Sequence, residues 1–189
     1  MGFEAFERAL RAASFLAFVL AWVAVALGAA VGAIPRWREG GPPSALPSGW
    51  VIAGVVLQGL SLMTVVSAAR YPLTPPLTAL AVTLVLAPLS AAIFLWTQIL
   101  ALRHCSPRLI TWGPYSRLRH PVYASLLGML VSTALLAWSP WHFVAGVALY
   151  AAGSEARIRS EEEELAGRFG EQFSQWTHRV RWRYLPGLR

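Results

Sequence analysis

Two short polar stretches interrupt an otherwise apolar chain, and both contain residue types that bind small charged molecules. The first is Gly113-Pro114-Tyr115-Ser116-Arg117-Leu118-Arg119-His120-Pro121-Val122-Tyr123. Gly-Pro marks a turn, and Pro121 fits the first position of a helix, where its missing N–H costs nothing. His120 then falls at the N-cap. Arg119 lies beside the free N–H groups and positive dipole end of that helix, a combination that attracts a carboxylate or phosphate. The second stretch is Glu161-Glu162-Glu163-Glu164. At about 100° per residue, Ile158, Leu165, Phe169 and Trp176 form one apolar stripe. Glu162 lies roughly 30° from its centre and Glu161 roughly 70°, whereas Glu163 and Glu164 lie about 130° away on either side. The last two are expected in solvent. A plainer reading stays open for both stretches: arginines that set topology, a surface histidine, and a solvated acidic face paired at spacing four with Arg157, Arg159 and Arg168.

The elements that must position these groups are apolar helices. Ala12–Ile34, Gly49–Ala69 and Leu77–Leu102 carry no charge over 23, 21 and 26 residues. About 20 apolar residues span a bilayer. Ala12–Ile34 is too long for the h-region of a signal peptide, about 7 to 15 residues, and reads as a retained helix. Pro88 removes a hydrogen bond inside the third run and is expected to kink it. A fourth apolar region, 121–155, is interrupted by Trp138-Ser139-Pro140-Trp141, where a proline and two interfacial aromatics predict a tight turn. The chain therefore reads as one all-α, polytopic membrane domain over 1–189, with about five transmembrane helices. The spans lie at about 12–34, 49–69, 77–102, 121–137 and 141–156, and end in a C-terminal helical hairpin and a cytoplasmic helical tail. Arg36, Arg38, Arg103, Arg108, Arg117, Arg119 and the seven arginines beyond residue 156 fall on one side, against Arg8, Arg11 and Arg70 on the other. The positive-inside rule puts the N-terminus outside and the C-terminus in the cytoplasm.

Both arms of an antiparallel hairpin rise about 1.5 Å per residue, so a turn near residues 139 and 140 returns 120 and 159 to the same depth. Reflection about it sets Arg117–His120 opposite Arg159–Glu162. A carboxylate on an apolar stripe at a membrane boundary is costly without a cationic partner. Glu161 and Glu162 become candidates for function on that ground. Composition narrows the chemistry: all 16 basic residues are Arg, all 9 acidic ones are Glu, and a single Cys excludes an internal disulfide or a multi-cysteine metal site. Net charge is +7, which on so apolar a chain reflects membrane topology more often than nucleic-acid binding. The arginine-aromatic alternation from Ser174 onward, with Trp176, Trp182 and Tyr184 among Arg179, Arg181 and Arg183, suits an anionic membrane surface.

Three segments together resemble a known group: Leu109-Ile110-Thr111-Trp112-Gly113-Pro114-Tyr115, then Arg119-His120-Pro121-x-Tyr123, then Glu161-Glu162-x-x-Leu165-x-x-x-Phe169-Gly170. The pattern is similar to the isoprenylcysteine carboxyl methyltransferase family of integral-membrane methyltransferases, related to the phospholipid methyltransferases. It covers about residues 100–186, the expected catalytic part. The resemblance implies S-adenosylmethionine as cofactor, held by Leu109, Ile110, Tyr115, His120, Pro121, Tyr123 and Glu161. It also implies that Arg157, four residues before that glutamate, faces the methyl acceptor. Arg157, Arg119 and Glu162 are the candidates for a catalytic role, with no metal. Many members carry a His where this chain has Pro107; His104 is near but out of register.

The residue chemistry agrees. A sulfonium methyl donor presents an ammonium, a carboxylate and an adenosine, which call for a Glu, an Arg or helix N-terminus, and an aromatic-lined slot. The implied acceptor is lipophilic: a prenylcysteine-like carboxylate, a lipid amine or another small lipid, at the cytoplasmic face of what reads as a prokaryotic membrane. Membrane lipids are the expected surroundings, and no nucleic-acid partner is expected. Two other readings remain, an NADPH-dependent membrane reductase of the sterol-reductase type and a non-enzymatic membrane subunit.

Overall fold

A computed structural model describes residues 2–38, 49–68, 74–103 and 109–187, without the side chains of 31–38. The expected loop 35–48, Arg70 and the segment holding His104, Cys105, Pro107 and Arg108 lie wholly or largely outside these residues. Among the described residues the elements are all helical: α1 (Phe3–Arg38), α2 (Gly49–Ser67), α3 (Leu77–Arg103), a 3-10 turn (Gly113–Ser116), α4 (Pro121–Ala137), α5 (Pro140–Phe169) and α6 (Glu171–Arg179). Three helices are long and apolar enough to cross a membrane, Phe3–Ala30 within α1, α2 and α3; α4 is apolar but only 17 residues long.

The sequence placed the first helix from residue 12, but α1 starts nine residues earlier. Its first turns carry Glu7 and Arg11, which pair across one turn at 2.6 Å and make a polar entry that apolarity alone does not reveal. α3 continues through Pro88. The hairpin turn falls where Trp138-Ser139-Pro140 predicts it: α4 ends at Trp138 in the left-handed region, φ 45° and ψ 52°, and Pro140 opens α5.

α4 lies at the centre, with α1 and α3 on one side and α2 and α5 on the other. One core joins Ala21 and Val25 of α1 to Ala87, Ala91 and Phe94 of α3 and Met129 of α4. The other joins Val65 of α2 to Tyr123, Leu127 and Leu130 of α4, Tyr150 and Ile158 of α5, and Tyr184. α5 packs most extensively along α2 rather than along α4, its neighbour in sequence. Small residues are the cause, because helices in apolar surroundings approach most closely where side chains are absent. A Cβ on Gly153 would stand 2.7 Å from the Gly54 carbonyl oxygen and 3.0 Å from Leu57 Cβ, and one on Gly146 would meet Val65 Cγ2. Ser61 donates to the Gly146 carbonyl at 2.7 Å in the same seam. α4 and α5 instead meet through long side chains: Tyr150 donates to the Tyr123 carbonyl at 2.8 Å.

The α2–α5 contact therefore has no room for a side chain at residue 153. Gly153→Val is expected to lower stability by about 1 to 3 kcal/mol through overpacking. Gly167→Ala, where an added methyl meets nothing within 4 Å, is expected to be neutral or stabilising, since Ala is the better helix former. Thermal unfolding of the purified variants in detergent checks both.

Candidate active site

The site is assembled from four segments. Gly113 begins the 3-10 turn at φ 63°, a left-handed conformation that glycine adopts without strain. An added Cβ there would also press Leu100 Cδ1 at 3.1 Å. Ser116 donates to the Gly113 carbonyl at 2.7 Å, and Trp176 Nε1 of α6 donates to the Tyr115 carbonyl at 3.3 Å. Tyr115 is thereby fixed beside α6. His120 caps α4 and Pro121 is its first residue, as the sequence predicts, but the His120 ring makes no capping bond. It faces the two glutamates.

Reflection about the hairpin turn thus holds. His120 Nε2 lies 3.2 Å from Glu162 Oε1 and Nδ1 lies 3.5 Å from Glu161 Oε2. Carboxylates only accept, so a ring facing one on each side satisfies both when both nitrogens carry protons. Burial alone would depress the His120 pKa, but the two carboxylates outweigh it and raise it above its ordinary value. For Glu161, burial pushes up, and the hydrogen bonds from His120 and Tyr123, with the charges of His120 and Arg157, bring the net below normal. For Glu162 burial again pushes up, and His120, Arg119 and Arg183 outweigh it.

The two glutamates differ in what remains free. Arg119 Nη1 contacts Glu162 Oε1 at 2.7 Å and Arg183 Nη2 contacts Oε2 at 2.8 Å, so with His120 the carboxylate has three cationic neighbours. Its side chain is 14% exposed, against 38% for Glu161. Glu161 accepts from the Tyr123 hydroxyl and lies 3.7 Å from Arg157 Nη2, yet keeps an open edge. That edge lines a cavity of about 300 Å³ shared with Leu109, Ile110, Tyr115, Arg119, His120, Tyr123 and Arg168, and closed by Phe169 and Trp176. Six of the seven residues expected at a cofactor line it; Pro121 is buried beneath. Glu163 and Glu164 are exposed, as periodicity requires.

Arg157 is not among the residues that line this cavity; it covers the ring of Tyr123, which does line it, at 5.2 Å and donates from Nη1 to Gln58 Oε1 of α2 at 2.9 Å. Gln58 in turn donates to Ser154 at 3.1 Å. On the far side of Gln58 a second, apolar cavity of about 290 Å³ runs between α1, α2, α4 and α5, lined by Trp22, Leu62, Leu126, Leu130 and Tyr150 among others. α3 and α4 close on each other where Gly128 meets Ser90, and the described space lies across α4 from them.

Sequence reasoning missed Gln58, Arg168 and Arg183. Gln58 is the only amide in the apolar run of α2, and an unexplained polar group in such a helix is a signal in itself. By its composition Arg183 reads as part of a membrane-surface tail. The structure corrects this: α5 ends at Phe169 with Gly170, φ 49°, as its C-cap, and Trp176 beyond the break still packs in one cluster with Leu165 and Phe169. Helix resumes only for Glu171–Arg179. The Arg119 and His120 amides then donate to the Trp182 and Arg183 carbonyls at 2.9 and 2.8 Å.

With this geometry in view, residues 76–167 match the model of the isoprenylcysteine carboxyl methyltransferase (ICMT) family. This region, which holds α3, the 3-10 turn, α4 and most of α5, belongs to that family. No curated protein matches the chain. The family consists of membrane methyltransferases whose methyl donor is S-adenosylmethionine, and with three apolar helices the chain is an integral membrane protein.

The raised pKa of His120 has a signed consequence. Its contribution to stability is fully present below its ordinary value of 6.5 and fades as pH rises through the raised folded value. That of Glu161 and Glu162 is present above 4.5 and fades as pH falls through their depressed values. Thermal stability measured across about pH 5 to 9 is therefore expected to fall on the alkaline side. His120→Gln, which keeps a donor but cannot titrate, is expected to flatten that limb. An unchanged limb would assign it to another group.

Proposed function

We propose that the chain transfers a methyl group from S-adenosylmethionine to a lipophilic acceptor at the cytoplasmic membrane boundary, within five spans that leave the N-terminus outside. The observation that carries this reading is the cavity in which Glu161 shows its free edge beside Leu109, Ile110 and Tyr115. These residues fit the donor: a carboxylate for its ammonium, Arg168 for its carboxylate, and apolar and aromatic walls for its adenosine. The volume is at the small end of ligand sites, about 300 to 1,000 Å³. When bound, S-adenosylmethionine supplies an electrophilic methyl group.

The chain's own part is binding and orientation. Glu161 holds the cation, while Tyr123 and His120 fix the rotamer of Glu161. Arg119 and Glu162 act in this reading as positioning residues, since each satisfies the other. Arg157 stands between the two cavities, held by Gln58 on one side and Glu161 on the other, and its buried Nε has no partner among the described residues. It is the group placed to receive an acceptor head whose apolar chain occupies the space beyond Gln58. A carboxylate acceptor is favoured, because it needs no general base and His120 is held toward its protonated form.

The test pairs two measurements on each variant, S-adenosylhomocysteine affinity and transfer of isotopically labelled methyl into membrane lipid extracts. Glu161→Gln is expected to weaken affinity by at least about tenfold, a charge-assisted hydrogen bond being worth about 1.5 to 3 kcal/mol. Glu164→Gln should leave it unchanged. Arg157→Ala is expected to cut transfer far more than affinity, because the lost contact orients the acceptor. Loss of affinity with transfer intact at saturating donor would move Arg157 to the donor side.

A further inference from the structure

The alternating C-terminal segment is sorted by side. Val180 and Tyr184 are buried, and Arg183 turns inward, reaching Glu155 at 2.7 Å and Glu162 at 2.8 Å. Arg179, Arg181 and Trp182 face outward. With Ser116 and Arg117 from the end of the 3-10 turn they line a cleft of about 620 Å³. Its wall holds three guanidinium groups and no carboxylate. None of the three forms an ion pair among the described residues, whereas Arg119, Arg157 and Arg183 all do. Three like charges around one cleft repel each other unless an anion stands between them.

The position of the cleft indicates where that anion comes from. The 3-10 turn connects the end of α3 to the start of α4, so the cleft lies at the level where two apolar helices terminate. Trp182 and Trp112 are 44% and 48% exposed there, and half-exposed tryptophans at helix ends mark the interfacial belt of a bilayer. Arginine with tryptophan at that depth suits the phosphates of a lipid surface better than a solute in open cytosol.

We propose that this cleft docks the phosphates of anionic lipid headgroups, and that docking holds the C-terminal segment closed over the carboxylate pair. The mechanical link is short. Residues 179–182 form the cleft with one face, while the carbonyls of Trp182 and Arg183 accept from the Arg119 and His120 amides and the Arg183 side chain grips Glu155 and Glu162. An anion bridging Arg117 to Arg179 and Arg181 ties the two sides of this strap together. The proposal does not depend on what the neighbouring cavity binds.

Hydrogen exchange reports the strap directly, because the Arg119 and His120 amides are free to exchange only when it lifts. The full chain is compared in nanodiscs of phosphatidylcholine alone and of phosphatidylcholine with phosphatidylglycerol. Exchange at these amides is expected to slow by roughly tenfold or more in the anionic discs and to lose most of that protection at high salt. The double variant Arg179→Gln/Arg181→Gln should exchange equally fast in both discs, while Arg159→Gln, which removes an exposed arginine of α5, should respond like the parent. Equal exchange of the parent in both discs overturns the proposal. So does protection in phosphatidylcholine discs by inorganic phosphate, or by a short RNA, without anionic lipid, since the cleft would then serve a soluble anion or a nucleic acid.

Discussion

Two adjacent carboxylates, Glu161 and Glu162, sit where an apolar hairpin meets its polar end, and they stay ionised there only if cations from elsewhere in the chain come to them. Arg119 and His120 arrive from the residues before α4, Arg157 from one turn earlier on α5, and Arg183 from the end of the chain. Removing one partner of such a cluster leaves a buried charge unpaired, a loss of about 3 to 5 kcal/mol where burial is complete and less at this boundary. The pair thus acts as the knot that ties the loop, the hairpin and the C-terminal segment into one site. Its asymmetry gives it a use, because Glu162 is saturated while Glu161 keeps an edge free.

The helices supply the space in which that edge matters. Had α4 and α5 packed on each other closely, as hairpin neighbours commonly do, their long side chains would have filled the interface. Glycines 146 and 153 draw α5 to α2 instead, and the interval between α4 and α5 is bridged by Tyr123, Tyr150 and Arg157. Arg157 stands between a polar cavity and an apolar one because Gln58 of α2 is within reach at the same depth. α2, which lies outside the residues matched to the family, therefore shapes one side of the site.

Much of this is legible from the residues alone. Helical periodicity separates Glu161 and Glu162 from Glu163 and Glu164 without any structure, since a turn of 100° per residue decides which carboxylates face the apolar side. The turn at Ser139-Pro140 fixes the depth at which His120 meets them, because both arms have the same rise. What fails is anything that depends on a break in regularity or on contact between distant segments. The stripe from Ile158 to Trp176 looks continuous in sequence, but Gly170 breaks it into two helices, α5 and α6. Arg183 has the same composition around it as Arg181, and only the fold shows that one turns inward and the other outward. The α2–α5 pairing is set by glycines about a hundred positions apart, a match that no local pattern announces.

In the proposed function the open edge of Glu161 and its surrounding walls receive an adenosyl methyl donor. Calorimetric titration of the purified chain with S-adenosylhomocysteine and, separately, with NADPH tests it most directly. Saturable binding of S-adenosylhomocysteine at one site and only heat of dilution with NADPH are the expected results. Saturable binding of NADPH, or no binding of either compound by folded protein, would contradict it.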